Sequence, residues 1–446
     1  MAALTNVKRL YGCRGRALDT ALNRLYRWLE DNTLLLWAYV LFLIGCVFAI
    51  FHDIAHYFFL SLVIPLVFLK AVQLDASRSF SARLSLSRAL KFGTTISLIL
   101  SAAGIYLVML ILSSALQQPT DGIEKFLQVS VLSFDIIALL LVTALLILSS
   151  NVALRACLTV VAVAAAANAL IALIVFVSST PLNQLLNHRL GDAGWSPGAR
   201  LGVASLAINS GIFLVASVAI LSEAAGRLWH RILVASSALT LTCALLLTQS
   251  RSMYLAAGAG IAATLTWSSR SIRRAAVGAP VVLILMLVFI TTVPAVIEMM
   301  LKRGDSRRLE IWNHYINLTW DQPWLGYGSM KNIHFEAKDG LVIVHPHNLI
   351  LSAQVRGGVL ATGALIVILL GGLYYSARYA KLTGQRAPLG IMVTLIVAGL
   401  FDYELLVVRS FPNWQTLPFW FPIGICVGTE LYVRARHNSE PGAIAP

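Results

Sequence analysis

The run LSFDIIALLLVTALLILSS at residues 132–150 is followed by LRACLTVVAVAAAANALIALIVFVS at residues 154–178. Together they hold only two charged side chains, Asp135 and Arg155. A helix needs about 20 apolar residues to cross a hydrocarbon core of about 30 Å. Each run is that long, and Ser149, Ser150 and Asn151 divide them. The pair therefore reads as two consecutive membrane-spanning helices, and this reading decides the fold.

Outward from that pair the same pattern recurs. The chain divides into twelve expected spans, at 33–51, 57–74, 92–112, 132–150, 154–178, 201–222, 229–248, 251–269, 276–298, 357–377, 387–407 and 415–433. Composition agrees: 58% of residues are hydrophobic and 12% charged, about half the charged share of a soluble domain. The predicted fold class is all-α and polytopic. Its expected organisation is a cytoplasmic segment at 1–32, nine spans in 33–298 with an outer loop at 179–200, an outer helical region at 299–356, three spans in 357–433, and a cytoplasmic tail at 434–446. The first apolar run begins after some thirty residues and has no cleavage site behind it, so no signal peptide is expected. Cys13, Cys46, Cys157, Cys243 and Cys426 are scattered without metal or redox spacing, and a disulfide framework is not expected.

The net charge of +14 does not call for nucleic acid, because membrane proteins concentrate Lys and Arg in cytoplasmic loops. With the N-terminus in the cytoplasm, most of the 34 basic residues fall on that side. The C-terminus returns to it. Arg189, Arg200, Arg251, Arg307, Arg308 and Arg356 then lie outside, against the orientation bias, and function is sought there.

Four outer groups stand out. In Thr248-Gln249-Ser250-Arg251 the arginine opens a span. It is either a side chain snorkelling to the interface or a guanidinium presented to an aqueous cavity, where it suits bidentate phosphate recognition. Arg189 begins the turn-rich loop 189–197, with Arg200 just beyond; alone, it reads as a solvated charge. Arg307 and Arg308 precede Leu309, Trp312, Ile316 and Trp320, which have helical spacing and predict a short amphipathic helix on the outer membrane surface. Gly326-Tyr327-Gly328 follows, a turn expected to let backbone approach a ligand closely. Finally, His345-Pro346-His347-Asn348 precedes an apolar segment too long for one span, so a short outer helix from near His347 and a break at Gly357-Gly358 are expected. A histidine beside a helix N-terminus stays neutral and can accept a proton. Zinc is the competing reading, but His345 and His347 lack a third ligand at usual spacing, so no metal and no cofactor are expected.

These residues resemble, in order, the signatures of the O-antigen ligase and polymerase superfamily: Ser250-Arg251 opening a span, Arg308-x3-Trp312 leading to Pro323-x2-Gly326-x-Gly328, and His347-Asn348-x9-Gly358. The stretch Arg189-Leu190 to Gly194-Trp195-x-Pro197 is similar to an outer loop of the ligase branch. The resemblance covers roughly 180–370. It departs from the family at Ala361, Ser196 and Arg356, where the family favours a glycine, an asparagine and an acidic residue.

The resemblance implies a GT-C-like glycosyltransferase of the bacterial inner membrane with a periplasmic site and both termini cytoplasmic. Its donor would be a glycan on undecaprenyl pyrophosphate, its acceptor the lipid A-core, and its surroundings membrane lipids. It further implies Arg189, Arg251 and Arg308 on the donor pyrophosphate, His347 as the base, and Arg307, His345, Asn348 and Arg200 in support, with inversion and without metal. The nearest alternative is an O-antigen polymerase using the same donor. A protein O-oligosaccharyltransferase usually carries extra soluble sequence at its C-terminus. From another class, an anionic-solute transporter would show inverted repeats and polar groups near the midplane; no repeat is apparent.

Overall fold

The computed structural model describes residues 38–39, 41–44, 59–63, 66, 94–116, 122–149, 151–181, 184, 188–191, 203–223, 228–267, 307–329, 331, 333–337, 340, 342–401 and 416–439. The expected spans at 33–51, 57–74 and 276–298 lie largely outside them, as do Arg200 and the stretch 192–199. The described elements, in order, are α1 (Thr94–Leu116), α2 (Gly122–Ser149), α3 (Asn151–Ser179), α4 (Val203–Ser222), α5 (Leu228–Thr248), α6 (Arg251–Thr266), α7 (Arg308–Asp321), β1 (Phe335–Glu336), β2 (Val342–Ile343), α8 (Leu349–Thr383), α9 (Ala387–Phe401) and α10 (Leu417–Ser439). Among the described residues, six helices are long and apolar enough to cross a membrane, and α9 and the apolar part of α10 are shorter. The protein is an all-α polytopic membrane protein.

Burial follows from side-chain size. α4 carries no charge and is rich in Ala, Ser and Gly. Small residues let helix backbones approach closely where lipid removes the usual hydrophobic drive. Accordingly α4 is buried on nearly all sides and packs against α3, α5, α6 and α9. Around it, helices show large apolar side chains outward: Val131, Phe134, Ile137 and Leu141 on α2, and Leu228, Trp229, Ile232 and Leu239 on α5. In water such a surface would associate; in a bilayer it is the solvated face.

Glycines set the helix register. A Cβ at Gly260 of α6 would collide with Thr394 of α9 and sit 2.6 Å from the Gly390 carbonyl, and one at Gly390 would strike Thr264. These helices are thus antiparallel and in close contact. Extending that register places Arg251, at the start of α6, level with the end of α9. Gly399 of α9 in turn meets Leu349, the first residue of α8.

The opposite end of the bundle is held by charge. Arg155 of α3 donates from Nη2 to Glu223 Oε2 at 2.8 Å, and the Arg386 amide donates to Glu223 Oε1 at 3.0 Å. Arg386 Nη1 reaches the Thr264 carbonyl at 3.3 Å, and Arg378 pairs with the buried Glu430. Glu223 thereby ties together α3, α4, α6 and the start of α9. Replacing Glu223 with alanine leaves a guanidinium and an amide without their acceptor. It should cost about 1–3 kcal/mol, the range for hydrogen bonds to charged groups. A lowered melting temperature in detergent is the expected result; an unchanged melting temperature removes the clamp.

Among the described residues between α6 and α8, expected to be an outer helical region, β1 and β2 form a small antiparallel hairpin. The β-branched Val342 and Ile343 favour it, and Gly340, at φ 79°, supplies a left-handed turn position. α7 packs on this hairpin through Ile311 and Tyr315. It exposes Leu309, Ile316 and Trp320 along a second face. Glu310, Asn313, Asn317 and Asp321 form a third, polar face. One face in protein, one apolar and one polar is the pattern of a helix lying at a membrane surface.

Candidate functional site

Three helices, α6, α7 and α8, begin beside the sequence-predicted site residues, and each beginning is conformationally unusual. Among the described residues, the non-glycine positions with positive φ are Gln249 (53°), Arg307 (59°) and His347 (51°). Each stands at a helix N-cap or immediately before it: Gln249 before Ser250 of α6, Arg307 at the cap of α7, and His347 before Asn348 of α8. Left-handed backbone at a non-glycine residue costs of order 1–3 kcal/mol and tends to be kept at functional sites. All such residues described here border the arginines and histidines that the sequence singles out.

Arg189 is bonded to the α5–α6 junction from which Arg251 begins α6. Arg189 Nε donates to the Thr248 carbonyl at 2.9 Å, three residues before Arg251. Leu190 N donates to the Leu247 carbonyl at 2.9 Å, and Gln249 Nε2 to the His188 carbonyl at 3.1 Å. Arg189 is half-buried and Arg251 exposed.

Arg308 and the histidines form the second group. Trp312, one turn after Arg308 on the same face of α7, donates its indole N–H to the Pro346 carbonyl at 2.9 Å. That carbonyl lies between His345 and His347, whose ring centroids are 3.9 Å apart. Asn348 caps α8 by accepting from Leu351 N at 2.9 Å, and its amide donates to the Leu400 carbonyl of α9 at 3.0 Å. Both amide atoms thus hold the turn. The bond to Leu400 also links the two groups, since the end of α9 is level with Arg251. Arg189, Arg251, Arg307, Arg308, His345, His347 and Asn348 accordingly all lie at the end of the bundle opposite Glu223.

Two expectations change. The Gly326-Tyr327-Gly328 turn approaches the protein's own helix instead of a ligand. A Cβ at Gly326 would lie 2.6 Å from the Val355 carbonyl, and Tyr327 N and Gly328 N donate to the carbonyls of Val355 and Arg356 at 2.7 and 2.9 Å. Those carbonyls are freed because Gly358 (φ 72°, ψ −169°) breaks α8. The break expected at Gly357-Gly358 is therefore present, and the loop exists to fill it. Arg356, counted among the outer cations, is 6% exposed; its Nη1 donates to the carbonyls of Gly328, Ser329 and Lys331. It is an internal brace for that loop. Tyr327, beside Asp321 with its hydroxyl 3.5 Å from Oδ2, is held in the neutral phenol form by burial and by that carboxylate.

A groove of about 450 Å³ runs between α7, the start of α8 and the end of α9, lined by Trp312, Ile316, Leu351, Gln354, Thr362 and Leu400. Its lining is mostly apolar. Gln354 is itself satisfied, donating to the Pro323 carbonyl and accepting from Thr362.

Compared with known proteins, residues 236–366 match the family model described as O-antigen ligase. The matched stretch runs from within α5 through α6, α7 and the hairpin into α8, and so holds Arg251, Arg307, Arg308, His345, His347 and Asn348; Arg189 precedes it. The chain is also similar to the O-antigen ligase of Pseudomonas aeruginosa, 25% identical over 134 residues, which is 29% of this chain and 31% of that relative. The similarity thus spans about a third of the relative's length.

Proposed function

We propose that this protein is a GT-C-like O-antigen ligase. It moves a glycan from undecaprenyl pyrophosphate to a sugar hydroxyl of the lipid A-core at the periplasmic face of the inner membrane. The observation that carries this reading is the convergence at one bundle end of three helix N-termini, the arginines beside them and the His345–His347 turn.

Helix N-termini present unsatisfied N–H groups and partial positive charge, and guanidinium groups add full charges in a geometry matched to phosphate oxygens. Arg189, Arg251 and Arg308 hold the pyrophosphate. As the anomeric C–O bond to that pyrophosphate breaks, they stabilise the charge that develops on it. His347 takes the proton from the acceptor hydroxyl, whose oxygen forms the new bond at the anomeric carbon from the opposite face, inverting it. Undecaprenyl pyrophosphate leaves. His345 and Asn348 support His347, with Arg307 and Arg200 near the phosphates. The donor's isoprenoid chain lies in the membrane between helices.

Arg251→Lys tests the role of the arginine. An ammonium is a point charge without the two-pronged donor pair, so transfer should fall about 10-fold or more, the effect of losing ~1.4 kcal/mol. A lysine variant with normal turnover makes Arg251 an anchor. Complementation separates the acceptors. Restored capping of lipopolysaccharide in a ligase-null strain supports the reading; restored chain length only in a polymerase-null strain replaces the lipid A-core with a second lipid-linked glycan.

A further inference from the structure

Gln249 has no reacting group, yet it is the most constrained residue of the α5–α6 junction. It lies in the left-handed region at φ 53° and is 8% exposed. Glycine takes that conformation without strain, and asparagine more readily than a longer side chain. Glycine, however, has nothing with which to reach across the junction. The Gln249 amide does reach, donating to the His188 carbonyl at 3.1 Å.

That bond is one of three. Arg189 Nε to Thr248 O and Leu190 N to Leu247 O, both 2.9 Å, complete a stitch between 188–190 and 247–249. Only the Gln249 bond depends on a neutral side chain that can be changed without touching a cation. The stitch matters because two cations at one junction repel each other. A pair of arginines ready for a diphosphate therefore needs its backbone held from outside.

We infer that Gln249 is a positioning residue that holds Arg189 and Arg251 as a matched guanidinium pair for the donor's pyrophosphate. The inference rests on the proposed function. It separates Gln249 from a residue that merely supports the fold, because relieving the strained backbone and losing the bond act in opposite directions. Gln249→Gly removes the left-handed penalty while it removes the amide. Gln249→Glu keeps the shape but places a carboxylate against the His188 carbonyl, where it cannot donate.

The test uses the purified full chain with undecaprenyl-pyrophosphate-linked glycan and lipid A-core, measuring donor KM, kcat and melting temperature for both variants and for Arg251→Ala. Gln249→Gly should melt at or above the wild-type temperature, with donor KM raised about tenfold or more and kcat at saturating donor little changed. Misplacement of a positioning group by about 1 Å costs up to ~10²-fold. Gln249→Glu should show the same KM effect. Wild-type KM in Gln249→Gly overturns the inference, and so does a lowered melting temperature with kcat and KM unaffected. Should Arg251→Ala itself transfer normally, the pyrophosphate reading fails. Should Arg251→Ala be inactive while both Gln249 variants behave as wild type, only the role of Gln249 fails.

Discussion

Replacing His347 with alanine is expected to lower glycan transfer by about 10²–10⁴-fold, the usual contribution of a general base, while the protein still inserts and accumulates. The surrounding turn has other holds besides the imidazole. Trp312 fixes Pro346 through its carbonyl, and Asn348 caps α8 and bonds Leu400 with its own amide. The His345 ring lies 3.9 Å from that of His347 between centroids. Alanine at φ 51° adds a modest backbone cost, so His347→Asn is the second variant: asparagine tolerates left-handed backbone but offers no base. Both should abolish capped lipopolysaccharide at normal protein levels. Wild-type capping in either removes the catalytic role from His347.

The largest structural effect is expected at Gly358. A Cβ there would overlap the carbonyl of Trp324 and lie 2.7 Å from Leu325 N, and the backbone conformation belongs almost exclusively to glycine. The obstacle is main chain that is itself bonded, since Val359 N donates to the Pro323 carbonyl at 2.9 Å. Gly358→Ala should therefore destabilise by more than about 3 kcal/mol, combining strain at a special backbone position with a steric clash. Gly363, five residues on in the same helix, meets nothing within 4 Å. Alanine there should be neutral or stabilising by up to ~1 kcal/mol, on helix propensity. Thermal unfolding of the two variants side by side checks both. Equal melting temperatures would mean that the 323–328 loop does not sit in the helix break.

The membrane helices were legible because lipid imposes one rule over many residues. The apolar runs at 132–150 and 154–178 reappear as α2 and α3, although α2 begins at Gly122, ten residues earlier, because its first turns carry helix-compatible residues as well as apolar ones. In the candidate site, charge against the orientation bias drew attention to Arg189, Arg251 and Arg308, and the structure gathers them at one bundle end with His347. Tertiary use of a residue was not legible. Arg356 looks like its outer neighbours in sequence, and only the fold shows its guanidinium spent on three carbonyls. The glycines of 326–328 announce close approach but not to what. Within Thr248-Gln249-Ser250-Arg251 the sequence drew attention to the arginine, since nothing about glutamine advertises left-handed backbone.

The seating of residues 323–328 in the gap of α8 limits how the mouth can work. Lifting that loop would take the Tyr327 and Gly328 amides from the carbonyls of Val355 and Arg356, and the Gly328 oxygen from the buried Arg356 guanidinium. Each loss is expensive away from water. The segment is therefore a fixed roof, and a hinged lid is the wrong picture. On the proposed function, bulky reactants then enter sideways through the gaps between helices, and the bilayer itself becomes part of the doorway.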